Sequence, residues 1–286
     1  MASERLASDG RRGILDALSD TIANLGQALL ESVQGVGAVA LFGWRTLGWL
    51  LTRLPRRDTL VSNMYAIGVQ SLPVVALIGT FIGMVLAVQS YTQFRAFGLE
   101  TRLGGVINKS MFRELGPVLA ATMLAGRVGS AMAAELGTMR VTEQIDALVS
   151  LGANPIHYLV APRFLSCLLL IPSLTIVAVF MGVLGGNFFC VRWLGIDEHH
   201  YWSHATGFVE TWDLFYGVVK SIFFGGVIGL VSCYRGFNCQ PGAEGVGRAA
   251  TTAFVSSFVA IIVIDLFLSM FLDEVYAAIW PYTPRL

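Results

Sequence analysis

The sequence predicts an all-α integral membrane protein whose core is five transmembrane helices. Hydrophobic residues make up 55% of its 286 residues and charged residues only 13%, whereas a soluble domain carries about a quarter charged residues. The apolar residues are also concentrated in blocks of about 20, the length needed to cross a bilayer. The formal net charge is zero, so no electrostatic surface for nucleic acid is expected.

Five segments have the length and composition of spanning helices. They are Tyr65 to Gln89, Val106 to Ala134, Phe164 to Val191, Leu214 to Tyr234 and Ala249 to Leu272. The second is the least apolar because charged side chains interrupt it, so it is expected to be surrounded by protein or to line a cavity. Its small residues recur every three or four positions, at Gly126, Gly129, Ala133 and Gly137, which predicts close helix packing.

Two charged residues in the later spans have separate interpretations. Lys220 lies near one end of the fourth span, where its aliphatic stem is expected to carry the ammonium group to the membrane interface. Asp265 interrupts the fifth span and is expected to pair with another helix, because an isolated carboxylate in the bilayer is costly.

The chain is predicted to divide into residues 1–60, a polar N-terminus with an interfacial helix, and residues 61–286, a transmembrane domain. Apolar residues recur at helical spacing from Ile14 to Val36, which predicts an amphipathic helix in the membrane interface. The apolar stretch from Val36 to Leu54 is expected to continue along the membrane surface or to dip into the membrane. Three arginines before the first span, at 53, 56 and 57, predict that this side is cytoplasmic.

A polar segment between the second and third spans predicts a short cytoplasmic helix. Thr142 can cap its N-terminus, and Glu143 and Asp146 suit the positive end of its dipole. Gly152 and Pro155 then supply a stop signal. From spacing alone, an ordinary solvated loop helix is the alternative interpretation.

This segment resembles the signature loop of the MlaE (YrbE-type) permeases, the membrane subunits of MCE-associated ABC transporters. The similarity continues from about Val61 to Leu272. The matching motifs are Arg113-Glu114-Leu115-Gly116-Pro117-Val118-Leu119, Ala125-Gly126-Arg127-Val128-Gly129-Ser130-Ala131, Ala161-Pro162-Arg163 and Gly242-Ala243-Glu244-Gly245-Val246-Gly247-Arg248. Asp265 also lies where the family usually has an aspartate.

The resemblance implies a homodimer of permeases in a bacterial inner membrane, bound to cytoplasmic ABC ATPase subunits and to an MCE-domain lipid carrier, with phospholipid as substrate. No P-loop is present, because Lys109-Ser110 follows Asn108 rather than glycine. This chain is therefore expected to bind no cofactor and to be no enzyme, and ATP and Mg would be used by the partner ATPase. The residues implied in ATPase coupling are Glu135, Arg140, Glu143, Gln144, Asp146 and Leu148.

The resemblance also implies a lipid cavity near Arg113 and Glu114. Arg113, together with Arg248, is a candidate for contacting a phosphate head group, and Phe97 for contacting acyl chains. The alternative is that Arg113 and Glu114 simply neutralise each other near an interface, because charge alone cannot place a residue on a cavity.

Two functions of other classes remain open at this point. His200 and His204 are one helical turn apart and could ligate a metal in an intramembrane metalloenzyme, although HExxH is absent. A secondary transporter using Asp265 and Glu114 as proton sites is the other, although no internal inverted repeat is evident.

Overall fold

The computed structural model describes residues 24, 26–27, 30–31, 33–52 and 55–280. They belong to two units, Met1–Arg45 and Thr46–Leu286. Residues 33–52 form one helix, α1. Most of the predicted amphipathic helix from Ile14 to Val36 lies outside the described residues, so its place in the membrane interface stays a prediction.

The second unit is helical throughout its described part. Its helices are α2 (Arg57–Ala96), α3 (Leu103–Val141), α4 (Gln144–Ser150), α5 (Ile156–Arg192), α6 (Glu198–Phe208), α7 (Thr211–Phe237) and α8 (Ala243–Ile279). Within the described residues, five of these (α2, α3, α5, α7 and α8) are long and apolar enough to span a membrane. The predicted fold class and the five predicted spans are confirmed.

The spans run in alternating directions, and the short helices mark two ends. We call the end where α4 joins α3 to α5 the α4 end, and the end where α6 joins α5 to α7 the α6 end. Close contacts agree with this arrangement: at the α6 end, a Cβ on Gly104 of α3 would press against Tyr201 of α6. At the α4 end, an ion pair joins Glu135 of α3 to Arg163 of α5.

Four short π-helical segments widen the spans, at Tyr65–Val69, Met111–Leu115, Ala125–Gly129 and Ile156–Val160. Proline explains the second and the last. Pro117 has no N–H to donate to the carbonyl of Arg113, and Pro162 has none for the carbonyl of Tyr158. The regular series of α-helical hydrogen bonds therefore cannot continue at these positions. π-Segments redirect side chains and are frequent at functional sites.

Glycine allows the spans to approach at backbone distance. α2 packs on α5 through Gly79 and Gly83, and a Cβ at either position would overlap the carbonyl oxygen of Ala178 or Gly182. Because backbone atoms cannot turn aside as side chains do, this contact requires glycine.

The small residues predicted in the second span also lie at helix contacts. A Cβ on Gly129 would meet Ser232 of α7, and one on Gly126 or Gly137 would reach Phe254 or Val246 of α8. The predicted close packing of this stripe is confirmed. α7 contributes a matching stripe, in which Gly225 and Gly229 face α5, so α7 packs between α3 and α5.

Candidate functional site: an interhelical charge network and a surface helix

Lys220 of α7 is the centre of a buried charge network that joins three spans. Its side chain is fully buried, and its Nζ donates hydrogen bonds to Glu114 Oε2 of α3 at 2.6 Å and to Ser269 Oγ of α8 at 2.7 Å. Nζ also lies 2.8 Å from Asp265 Oδ1 of α8. At 1.5 Å per residue, Lys220 is about 14 Å inside the start of α7, which is near the middle of a hydrocarbon core.

Arg113 of α3 forms the second half of the network, nearer the α6 end. Its Nε lies 3.0 Å from Asp213 Oδ1 of α7, and its NH2 donates to Asp273 Oδ1 of α8 at 3.0 Å. The Tyr216 ring lies between the two cations, with its centroid 4.5 Å from the Arg113 guanidinium carbon and 4.8 Å from Lys220 Nζ. We call these residues, with their carboxylate partners, the charge network.

The charge network contains two cations and four carboxylates, so it is formally anionic. Glu114 is its most open member on the Lys220 side, with 46% of its side chain exposed, against 19% for Asp265. Burying a charge is costly unless it is paired, and the two least exposed carboxylates, Asp213 and Asp265, are paired only while α3, α7 and α8 stay together. The network therefore braces these three spans.

The structure corrects the sequence-based interpretations of Lys220 and of the Arg113–Glu114 pair. The predicted snorkelling of Lys220 is wrong, because three acceptors from neighbouring helices hold its ammonium group inside the protein. The predicted pairing of Asp265 with another helix is confirmed, and Lys220 is the partner. Arg113 and Glu114 do not neutralise each other: the π-segment Met111–Leu115 directs them to different partners.

The predicted lipid-contacting residues are not all close together. Phe97 follows α2 at the α6 end and is 79% exposed. Arg248 lies at the α4 end of α8 and pairs with Glu244 at 3.4 Å. Along α8, Arg248 is about 38 Å from Asp273, the residue that binds Arg113. Arg113 and Arg248 of one chain therefore cannot hold the same phosphate group, and a contact of either residue with lipid stays a prediction.

At the other end of the bundle, α4 lies on the surface with one side anchored. Ile145 is buried, whereas Gln144 and Ala147 are exposed. Two large apolar residues beside them, Val149 and Leu151, are also exposed. An exposed helix with uncovered apolar side chains is typical of a protein-docking surface.

α4 begins differently from the prediction. The Thr142 hydroxyl donates to Thr138 O of α3 at 2.8 Å instead of capping α4. Glu143 is the residue before the helix, with a left-handed backbone (φ 60°) that turns the chain sharply between α3 and α4. The predicted stop is confirmed: Gly152 has φ 74°, and its N–H donates to Val149 O.

Two ion pairs connect α4 and its surroundings to the spans. Arg140 at the end of α3 donates to Asp146 of α4 at 2.6 Å. Glu135 of α3 pairs with Arg163 of α5 at 2.8 Å, and Arg163 also donates to Leu159 O. The first pair therefore joins α4 to α3, and the second joins α3 to α5. Among the six residues predicted for ATPase coupling, Leu148 is half-buried and the carboxylates of Glu135, Glu143 and Asp146 are exposed.

The histidine pair predicted as a metal site has a structural environment of its own. Asp197 caps α6, accepting from His200 N at 3.0 Å and contacting His200 Nδ1 at 2.9 Å. The backbone N–H of His200 stabilises the carboxylate and lowers the pKa of Asp197. Within the described residues, no group of three His, Cys, Asp or Glu side chains could hold a metal ion.

Comparison with known proteins agrees with the resemblance seen in the motifs. The family described as Permease MlaE matches residues 60–271. A probable ABC transporter permease protein of Rickettsia felis is 41% identical over 243 residues, covering 85% of this chain and 94% of the relative.

Two further relatives have names that refer to lipids or to an organelle. The intermembrane phospholipid transport system permease protein MlaE of Haemophilus influenzae is 34% identical over 252 residues, 87% of this chain and 95% of the relative. Protein TRIGALACTOSYLDIACYLGLYCEROL 1, chloroplastic, of Arabidopsis thaliana is 37% identical over 238 residues, 83% of this chain and 68% of the relative. This chain therefore belongs to the MlaE family and is the membrane-spanning permease subunit of an ABC transporter, not itself catalytic.

Proposed function

We propose that this chain moves phospholipids between a bacterial inner membrane and an MCE-domain carrier, driven by ATP hydrolysis in separate ATPase subunits. The observation that carries the proposal is α4, a surface helix that is paired with α3 through Arg140 and Asp146 and exposes its other side. Family membership and the phospholipid transport named for the Haemophilus influenzae relative support the choice of substrate.

The ATPase would dock on α4 and its flanking residues. Glu143, Gln144 and Asp146 supply polar contacts, and Val149 and Leu151 supply apolar ones. The partner ATPase would bind and use the ATP and Mg. Because the Arg140–Asp146 and Glu135–Arg163 pairs connect this region to α3 and α5, ATPase closure would move both spans.

Two copies of the chain would enclose the lipid, and the charge network would keep α3, α7 and α8 together as one moving body in each copy. Glu114 and the exposed Phe97 would lie along the lipid path at the α6 end, with Arg113 held in place by its two carboxylates. A lipid completes such a cycle only if its affinity differs between the open and closed states. Closure driven by ATP would supply that difference.

A tagged purification in mild detergent tests the coupling part of the proposal. The Glu143→Lys, Asp146→Lys variant reverses both exposed charges, and Glu198→Lys, an exposed glutamate on α6, is the matched control. We expect a P-loop ATPase to co-purify with wild type and the control and to be lost from the double variant, while phospholipid is retained by all three. An ATPase that stays bound to the double variant would refute docking on α4.

A further inference from the structure

Aromatic side chains form a cavity wall at the α6 end, where the start of α7 meets the end of α8. The cavity has a volume of about 740 Å³ and is lined by Val209, Glu210, Thr211, Trp212, Phe215, Tyr276 and Trp280. These residues lie at the ends of two spans, the level at which lipid head groups and water meet. Lys220 lies further inside, and the Arg113 half of the charge network borders the cavity, because the Asp213 carboxylate accepts from the backbone N–H of Glu210 at 3.0 Å.

The rings pack on one another and hold the wall rigid. The Trp212 ring centroid lies 5.7 Å from that of Tyr276 and 5.8 Å from that of Trp280, and Tyr276 and Trp280 are stacked at 5.4 Å. The wall therefore presents indole and phenol faces whose positions are set before any ligand arrives. Such faces attract cations, and quaternary ammonium groups in particular.

A carboxylate is fixed beside the rings. Glu210 Oε2 accepts a hydrogen bond from the Tyr276 hydroxyl at 2.8 Å, and the Glu210 side chain also accepts from the backbone N–H of Asp213 in a capping box. These contacts orient the carboxylate, and the residue stays exposed. The C-terminal end of α8 adds the negative pole of its dipole to the same place.

The nearby charges are complementary to a cation. Arg113 is shared between Asp213 and Asp273, so with Glu210 this corner has three carboxylates and one arginine. The Trp212 indole N–H is buried and has no acceptor within the described part of the chain. A buried donor without an acceptor is costly, and the closed position of this atom keeps it away from a ligand in the cavity.

From this wall and the carboxylate, we infer that the cavity binds the ammonium head group of a zwitterionic phospholipid, choline or ethanolamine. The aromatic faces and Glu210 hold the cationic nitrogen. This inference rests on the proposed phospholipid transport and specifies which head groups the permease accepts.

The test measures which lipids the full-length protein retains. The protein is extracted from membranes containing equal amounts of phosphatidylcholine, phosphatidylethanolamine and phosphatidylglycerol, and the co-purifying phospholipids are quantified by mass spectrometry. The variants are Glu210→Gln, which keeps the capping acceptor but removes the charge, and Trp280→Leu, which removes one exposed ring. Trp193→Leu, an exposed tryptophan elsewhere at the α6 end, is the control, and size-exclusion profiles confirm folding.

We expect wild type and the control to retain the two zwitterionic lipids in preference to phosphatidylglycerol. Both variants should lower that preference roughly three- to tenfold, the size of one lost cation–π or charge contact. A preference for phosphatidylcholine would identify the rings as the main contact, and a preference for phosphatidylethanolamine would identify the carboxylate. Either result supports the inference. If both variants keep the same lipid preference and the same total lipid, the inference is overturned. The rings would then be an aromatic belt that anchors the protein in the membrane. Retention of no phospholipid by wild type would overturn the proposed function as well.

Discussion

Replacing Lys220 tests whether the charge network holds the spans together. In Lys220→Met the apolar volume is kept, but Glu114 and Asp265 lose the ammonium group that lies within 2.8 Å of both. Removing one partner of a buried ion pair costs about 3–5 kcal/mol. Since Glu114 is only partly buried in the protein, we expect the lower value, about 3 kcal/mol of unfolding free energy.

The assay is SDS-driven unfolding of the protein in mixed micelles, followed by tryptophan fluorescence. Lys109→Met is the matched control, because Lys109 is the other lysine of the chain and forms no ion pair among the described residues. Lys220→Met with Asp265→Asn removes both charges of one pair, and we expect it to recover about 1–2 kcal/mol, the coupling typical of residues in direct contact. A Lys220→Met protein as stable as the control would refute the bracing role.

Two further predictions concern packing and helix capping. In Gly83→Ala, the new methyl group would overlap the carbonyl oxygen of Gly182, so we expect a loss of about 1–3 kcal/mol of unfolding free energy in the same assay. The control is Gly247→Ala, whose Cβ meets nothing and which should be neutral. Equal stability of the two variants would contradict the packing argument. The Asp197 cap should stabilise α6 only above the ordinary carboxyl pKa of 3.8 and lose its effect as the pH falls below that, because the folded-state pKa is lowered by the His200 N–H. The protection factors of the α6 amides, which correct for the intrinsic pH dependence of exchange, should therefore fall at low pH in wild type and be reduced above that pH in Asp197→Ala. Protection factors that do not change in Asp197→Ala would contradict the capping role.

The spans could be predicted because each is a long apolar run, and the sequence alone carries that property. The small-residue stripe of α3 could be predicted for a similar reason, since helical spacing places Gly126 and Gly129 near one face. The partner helices could not be predicted from this spacing, because it contains no information on which span lies opposite.

The charge network could be predicted only in part. Asp265 in an apolar run requires a partner, and that requirement is local. The choice of Lys220 depends on how far α7 is displaced along α8, which tertiary packing decides. The sequence favours the interface for Lys220 because this residue lies close to the end of the apolar run, and long cationic side chains often reach the surface from such positions.

The start of α4 shows a conflict between local rules. Thr142 fits the pattern of a cap for the helix that follows it, but its hydroxyl completes the last turn of the helix that precedes it. The left-handed backbone of Glu143 separates the two helices, and no residue in the segment signals it, because this conformation is uncommon for any residue but glycine.

ATP-dependent transfer of phospholipid is the measurement that tests the central claim most directly. The complex isolated through a tag on this chain is reconstituted into liposomes with fluorescent phospholipid, and transfer to the carrier is followed with ATP or with a non-hydrolysable analogue. We predict transfer that requires hydrolysable ATP, is abolished by Glu143→Lys with Asp146→Lys, and survives Glu198→Lys. Transfer at the same rate without hydrolysable ATP, or undiminished in the α4 double variant, would contradict the account.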